Sequence, residues 1–147
     1  MRLNPDCVRD TLIYLEENLT IDYTTKTFTT IKTSDLVEKI MLQHTAYDAE
    51  DIWYAIYNLQ QIEYIEGKFV NVGNYKMMFS EIENITWDGH QFLNTIRPQS
   101  IWEATKSGAA KIGITSLYAL STIATQVSDA IVTRPDVIDK IVSEIKF

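Results

Sequence analysis

His44, His90 and Cys7 are the natural candidates in this chain for acid–base, metal or thiol chemistry at neutral pH. His90 closes the run Trp87-Asp88-Gly89-His90. An imidazole there could act as a general acid or base, but no neighbouring pattern supplies the nucleophile and oxyanion donors such a role needs. The structural reading is preferred: Asp88 caps a helix, Gly89 allows a close turn, Trp87 anchors the core, and His90 lies on the outer face or against Trp87. Cys7 falls in the first turn of a helix, a position that can lower a thiol pKa, yet Asp6 and Asp10 oppose that shift. It reads as a buried small hydrophobe. Two histidines and one cysteine make a metal site only with carboxylates from distant positions. Gly-rich phosphate loops and glycine-centred nucleophile elbows are also absent from the sequence. No catalytic residue, metal ligand or cofactor site is assigned, and an enzyme ranks last among the readings.

The elements that would position any site follow from periodicity. Pro5 suits a first helical position, and Val8, Leu12 and Leu15 recur at helical spacing, which predicts a helix from Asn4 or Pro5 to near Asn18. From Leu19 to Lys32 the pattern turns Thr-rich and alternating, as in an exposed strand or hairpin inserted between helices. Thr33 or Ser34 can cap a short helix carrying Leu36, Val37 and Ile40. A third helix runs from near Asp48 to Gln61 on the stripe Ala49, Ile52, Trp53, Ile56 and Leu59. Then come short strands around Tyr64-Ile65-Glu66, Phe69 to Val72 and Tyr75 to Phe79, with turns at Gly67-Lys68 and Gly73-Asn74. The run Ile85 to Leu93 reads as a strand end leading into a helix. Helix, helix, helix, hairpin is the order of a winged helix-turn-helix, so the expected fold is α+β, a winged-helix-like domain over 1–97 with C-terminal helices over 98–147.

A winged helix invites a DNA-binding reading, which charge disfavours. The chain carries a formal net charge of -7. Residues 34–66, which hold the helix-turn-helix candidate, contribute seven acids and a single base, Lys39. The third helix has no Lys or Arg, although neutralising phosphates with such residues supplies most nonspecific DNA affinity. Its acidic start, Asp48, Glu50 and Asp51, together with Tyr54 and Tyr57 off the apolar stripe, is better suited to protein contact. Trp53 could stack on a base but reads as core.

In the C-terminal part, Arg97-Pro98 ends one helix, Ser100 to Thr105 restarts another, and Gly108 offers a break. Ile112 to Ser128 is uncharged over seventeen residues. Gly, Gln, three Ser and three Thr dilute it, so a membrane span is disfavoured and helix packing is preferred. Leu117, Leu120, Ile123 and Ala124 are the residues expected to pack, and a homodimer through them is the expected assembly. Pro135 leads a last helix with Val137, Ile138 and Ile141 on one side.

Two blocks together resemble the domain-of-unknown-function family 2513 of bacteria, phages and prophages. They are the opening Met1-Arg2-Leu3-Asn4-Pro5-Asp6-Cys7-Val8-Arg9-Asp10, and Ile85 to Arg97 followed by Ile101-Trp102 and Thr105-Lys106. The Thr-rich stretch Leu19 to Lys32 and the tail after Arg134 fit less well. The resemblance implies a winged-helix fold and a mobile-element setting, and it brings no assigned activity or site residue. With a single cysteine and a charged start, the chain is expected in a reducing cytosol. The leading expectation is a non-enzymatic acidic winged-helix protein acting by contact with itself or a host protein. The alternatives are a DNA-binding regulator using Arg2, Arg9, Lys26 and Lys32, and a membrane-active effector using the apolar C-terminal segment.

Overall fold

The computed structural model describes residues 2–68, 80–113 and 116–132. Its described residues form an α+β structure with six helices and two small antiparallel sheets. The chain divides into two compact units, with the division falling between His90 and Gln91.

In the first unit, α1 (Pro5–Asn18) starts where Asn4 Oδ1 accepts the Cys7 N–H at 3.2 Å, with Pro5 in the first turn. Its buried face is Cys7, Val8, Thr11, Leu12 and Leu15. The Thr-rich stretch folds as a hairpin, β1 (Ile21–Asp22) against β2 (Thr27–Phe28), exposed throughout, followed by β3 (Ile31–Lys32). Then come α2 (Thr33–Gln43) and α3 (Ala49–Gln61), which pack on each other, with α3 also against α1. Ile52, Ala55, Ile56 and Leu59 form the buried stripe of α3. Trp53, expected in the core, is half-buried.

Three local expectations need correction. Thr33 is the first residue of α2 and caps nothing there; its N–H and Oγ1 both donate to the Ser80 carbonyl, at 2.9 and 3.3 Å, tying the start of α2 to the chain entering the sheet. Gly67-Lys68 is not a turn, because β4 (Ile65–Lys68) runs through it and pairs with β5 (Glu81–Ile85). The register slips between Glu66 and Gly67, and a Cβ at Gly67 would collide with the Glu81 carbonyl oxygen, so the strands approach there as only glycine allows. Strand order is β3-β5-β4, all antiparallel. The expected strands at Phe69 to Val72 and Tyr75 to Phe79, and the turn at Gly73-Asn74, lie outside the described residues.

Third, the cap of α4 (Trp87–Ile96) is Thr86 rather than Asp88: Thr86 Oγ1 accepts the Gly89 N–H at 3.1 Å. That sets the helix phase. Gly89, Phe92, Leu93 and Ile96 share the buried face, and Trp87 falls on the opposite side, 77% exposed. The expected core anchor is a surface residue.

In the second unit, α5 (Gln99–Ile112) runs uninterrupted through Gly108 and ends at Gly113, whose φ of 76° is the left-handed closure glycine favours. A Cβ at Gly108 would meet Ile123 Cγ2 at 3.3 Å, so the expected break is instead a point of close helix approach. α6 (Leu117–Val132) packs on α5. Leu117, Leu120 and Ala124 are buried within the single chain and Ile123 is half-buried. No helix among the described residues is long and apolar enough to cross a membrane. The helix expected after Pro135 lies outside the described residues.

Candidate functional site

Residues 44–48, the link between α2 and α3, are held down by α1. Tyr47 OH donates to Asp10 Oδ2 at 2.6 Å, His44 Nδ1 lies 3.7 Å from the same oxygen, and the two rings sit 5.6 Å apart. Burial, the hydrogen bond to Asp10 and the charges of Asp10 and Asp6 push the Tyr47 phenol well above its ordinary range. That keeps it protonated and donating. The cluster combines residues found in acid–base sites and ties the loop that launches α3 to α1.

With the loop fixed, the first turn of α3 is locked by a reciprocal cap. Asp48 Oδ1 accepts the Asp51 N–H at 2.9 Å, and Asp51 Oδ2 accepts the Asp48 N–H at 3.2 Å. Asp48 and Glu50 are exposed and Asp51 is half-buried, so three carboxyl side chains crowd the positive end of the helix dipole. Farther along, the Tyr54 and Tyr57 rings lie nearly parallel, at 9° with centroids 6.2 Å apart, and Tyr57 is 45% exposed. Of the five residues singled out in the sequence, Asp48 caps α3 and Glu50, Asp51, Tyr54 and Tyr57 lie along it, the acids at its start and the tyrosines following.

Cys7 is fully buried beneath this region. Burial pushes its thiol up to about 12, with the charges of Asp51, Asp10 and Asp48 acting in the same direction and a hydrogen bond with Thr11 opposing them. Such a thiol keeps its proton near neutrality. Among the described residues no group of three or more His, Cys, Asp or Glu side chains is placed to hold a metal ion. His90 is half-buried on α4, and its backbone N–H donates to the Thr86 carbonyl at 2.9 Å.

Two features escaped the sequence reading. One is the Asp10–Tyr47–His44 cluster, whose members lie 34 and 37 positions from Asp10 and carry no local pattern. The other is an open groove of about 610 Å³ at the far end of α3, with Trp87 on its wall. The spacing of Trp87 from the stripe Gly89, Phe92, Leu93 and Ile96 could have revealed it, once Thr86 was recognised as the cap.

Neither a curated protein nor a solved structure matches the chain. Residues 2–115 match the sequence model of the family described as Hypothetical protein (DUF2513), and the chain belongs to that family.

Proposed function

We propose that this DUF2513 member is a winged-helix protein without enzymatic activity, working in the cytosol of a mobile-element host by protein contact through the acidic face of α3. The winged-helix reading is supported by connectivity. Three helices are followed by the antiparallel pair β4–β5, and β3, between α1 and α2, joins the far side of β5 to give the order β3-β5-β4. In such a fold the second helix of the α2–α3 pair is the one that would enter a DNA groove. Here it is acidic.

The observation that carries the proposal is the Asp48–Asp51 reciprocal cap. A cap commits both carboxylates to the end of the helix, where phosphates would have to approach, and Glu50 stands beside them. No basic residue of α3 offsets them. The same face suits a basic protein surface, with Tyr57 as a half-exposed aromatic anchor beside Tyr54. The partner proposed is a host protein or a second copy of the chain.

The test is a photo-crosslinking amino acid placed at position 57 in the cell that carries the gene. One discrete protein adduct, lost when Glu50 is changed to Lys, supports the reading. A ladder of adducts insensitive to that change contradicts it.

A further inference from the structure

Trp87 stands 77% exposed at the wall of the groove at the carboxyl end of α3. α3 has 13 residues, so this groove lies on the order of 20 Å from the acidic cap at the other end. It is a separate surface. Its construction is rigid: Thr86 Oγ1 donates to the Glu63 carbonyl at 2.6 Å, the Thr86 N–H donates to the Tyr64 carbonyl at 3.0 Å, and Gly89 packs so close to Tyr64 that a Cβ would strike its carbonyl oxygen. The start of α4 is thereby latched to the end of α3, which sets Trp87 and Asp88 beside Glu63 and Glu66. Asn84 Nδ2 donates to Glu66 Oε1 at 3.2 Å and orients that carboxylate.

The wall therefore offers one exposed indole and three exposed carboxyl side chains, and none of the described lining residues is basic. An anion is repelled by this set, and a purely apolar ligand would bury charge without a partner. A planar cation satisfies both components, because a guanidinium stacks on an indole face while its N–H groups fork onto a carboxylate. Lysine would meet the charge but not the stacking plane. The groove is open rather than enclosed, which fits a side chain delivered by a polypeptide and not a small molecule sealed inside.

We propose that the groove formed by Trp87, Glu63, Glu66 and Asp88 is a docking site for an arginine-bearing segment of a protein partner. The site adds a second contact surface and does not depend on the α3 acidic face.

The probe is the peptide Ac-Gly-Arg-Gly-Arg-Gly-NH2, titrated into the full chain while the Trp87 indole N–H is followed by NMR, its signal assigned by its loss in Trp87→Phe. The expected result is a saturable shift of that signal, with citrulline in place of arginine abolishing it. Trp87→Ala, an exposed change that leaves net charge alone, should weaken binding about two- to fivefold, the range of an exposed cation–π contact. Glu63→Gln with Glu66→Gln should weaken it as well, and Glu50→Gln should not. Equal affinity for Trp87→Ala and the parent would mean diffuse attraction to an acidic protein and would overturn the proposal. So would an unmoved Trp87 signal at millimolar peptide. Loss with Glu50→Gln alone would place the binding on the α3 face and overturn it too, while leaving the first reading standing.

Discussion

Thr86 holds Glu63 in place: its Oγ1 donates to the Glu63 carbonyl oxygen at 2.6 Å while accepting the Gly89 N–H at 3.1 Å. One hydroxyl thus caps α4 and ties it to the end of α3, where Glu63 itself sits at a φ of 61° to turn the chain toward β4. Thr86→Val keeps the shape and removes both bonds. The expected loss is about 1–2 kcal/mol in urea unfolding, the scale of a lost N-cap, with Thr86→Ser retaining most of the stability. A valine variant as stable as the parent would show that the latch contributes nothing.

Gly89 and Gly108 should respond oppositely to alanine. At Gly89 the new methyl would run into the Tyr64 carbonyl and come within 2.8 Å of Ile85 Cγ2, and a backbone atom cannot rotate away. A loss of about 2–3 kcal/mol is expected. At Gly108 the neighbour is Ile123 Cγ2 at 3.3 Å, a side chain able to shift, and alanine gains helix propensity of about 1 kcal/mol. Thermal melting should leave Gly108→Ala near the parent and Gly89→Ala well below it.

The tryptophans separate surface from core. Trp102 is 1% exposed and Trp87 77% exposed. Trp102→Ala should cost about 3–5 kcal/mol, enough to unfold a marginal domain, whereas Trp87→Ala should stay within about 0.5 kcal/mol. Acrylamide should likewise quench the parent more than the Trp87→Phe variant. A Trp87→Ala protein that melts early would mean that the indole is packed.

Which parts of this could be read beforehand follows from the range of the interactions. Asn4 before Pro5, and Asp48 three residues before Asp51, are local signals, and both helices begin where those residues put them. The Thr-rich alternation after Leu19 likewise marked the exposed hairpin. Thr33 looked like a cap for the same local reason, but its hydroxyl is claimed by Ser80, 47 positions away. Gly67 looked like a turn because glycine marks turns, and the close approach of Glu81 that explains it is likewise non-local. With Asp88 as the cap, Trp87 falls ahead of the helix on the strand end and reads as core; with Thr86 as the cap it is the first residue of α4, on the side opposite Phe92, Leu93 and Ile96. Of the candidate site, the acids and tyrosines of α3 were legible because they share one helix. The groove was not, since it joins the end of α3 and the first residues of β4 to the start of α4.

Alkaline stability follows from two protons, one on the buried Cys7 and one on the half-buried Tyr47. The Cys7 thiol is pushed from its ordinary 9.0 up to about 12, and the Tyr47 phenol is raised as well, in each case first by burial. Both groups hold protons more tightly folded than unfolded, so their contribution is complete below the ordinary thiol value and drains away as pH climbs from there toward 12. Urea unfolding between pH 8.5 and 12 (roughly the window those shifts define) should show stability falling with pH. Cys7→Ala should flatten that slope and Tyr47→Phe should flatten its upper part. Unchanged slopes in both variants would mean that neither proton is held by the fold.

The role proposed for α3 is to meet protein and not DNA. Its most direct test is fluorescence anisotropy of a labelled random-sequence duplex titrated with the full chain at ~0.15 M salt. Asp48, Glu50 and Asp51 at the start of α3, with no basic residue in that helix, lead to an expectation of no saturable binding below the micromolar range. Submicromolar affinity that falls steeply as salt is raised would contradict the account.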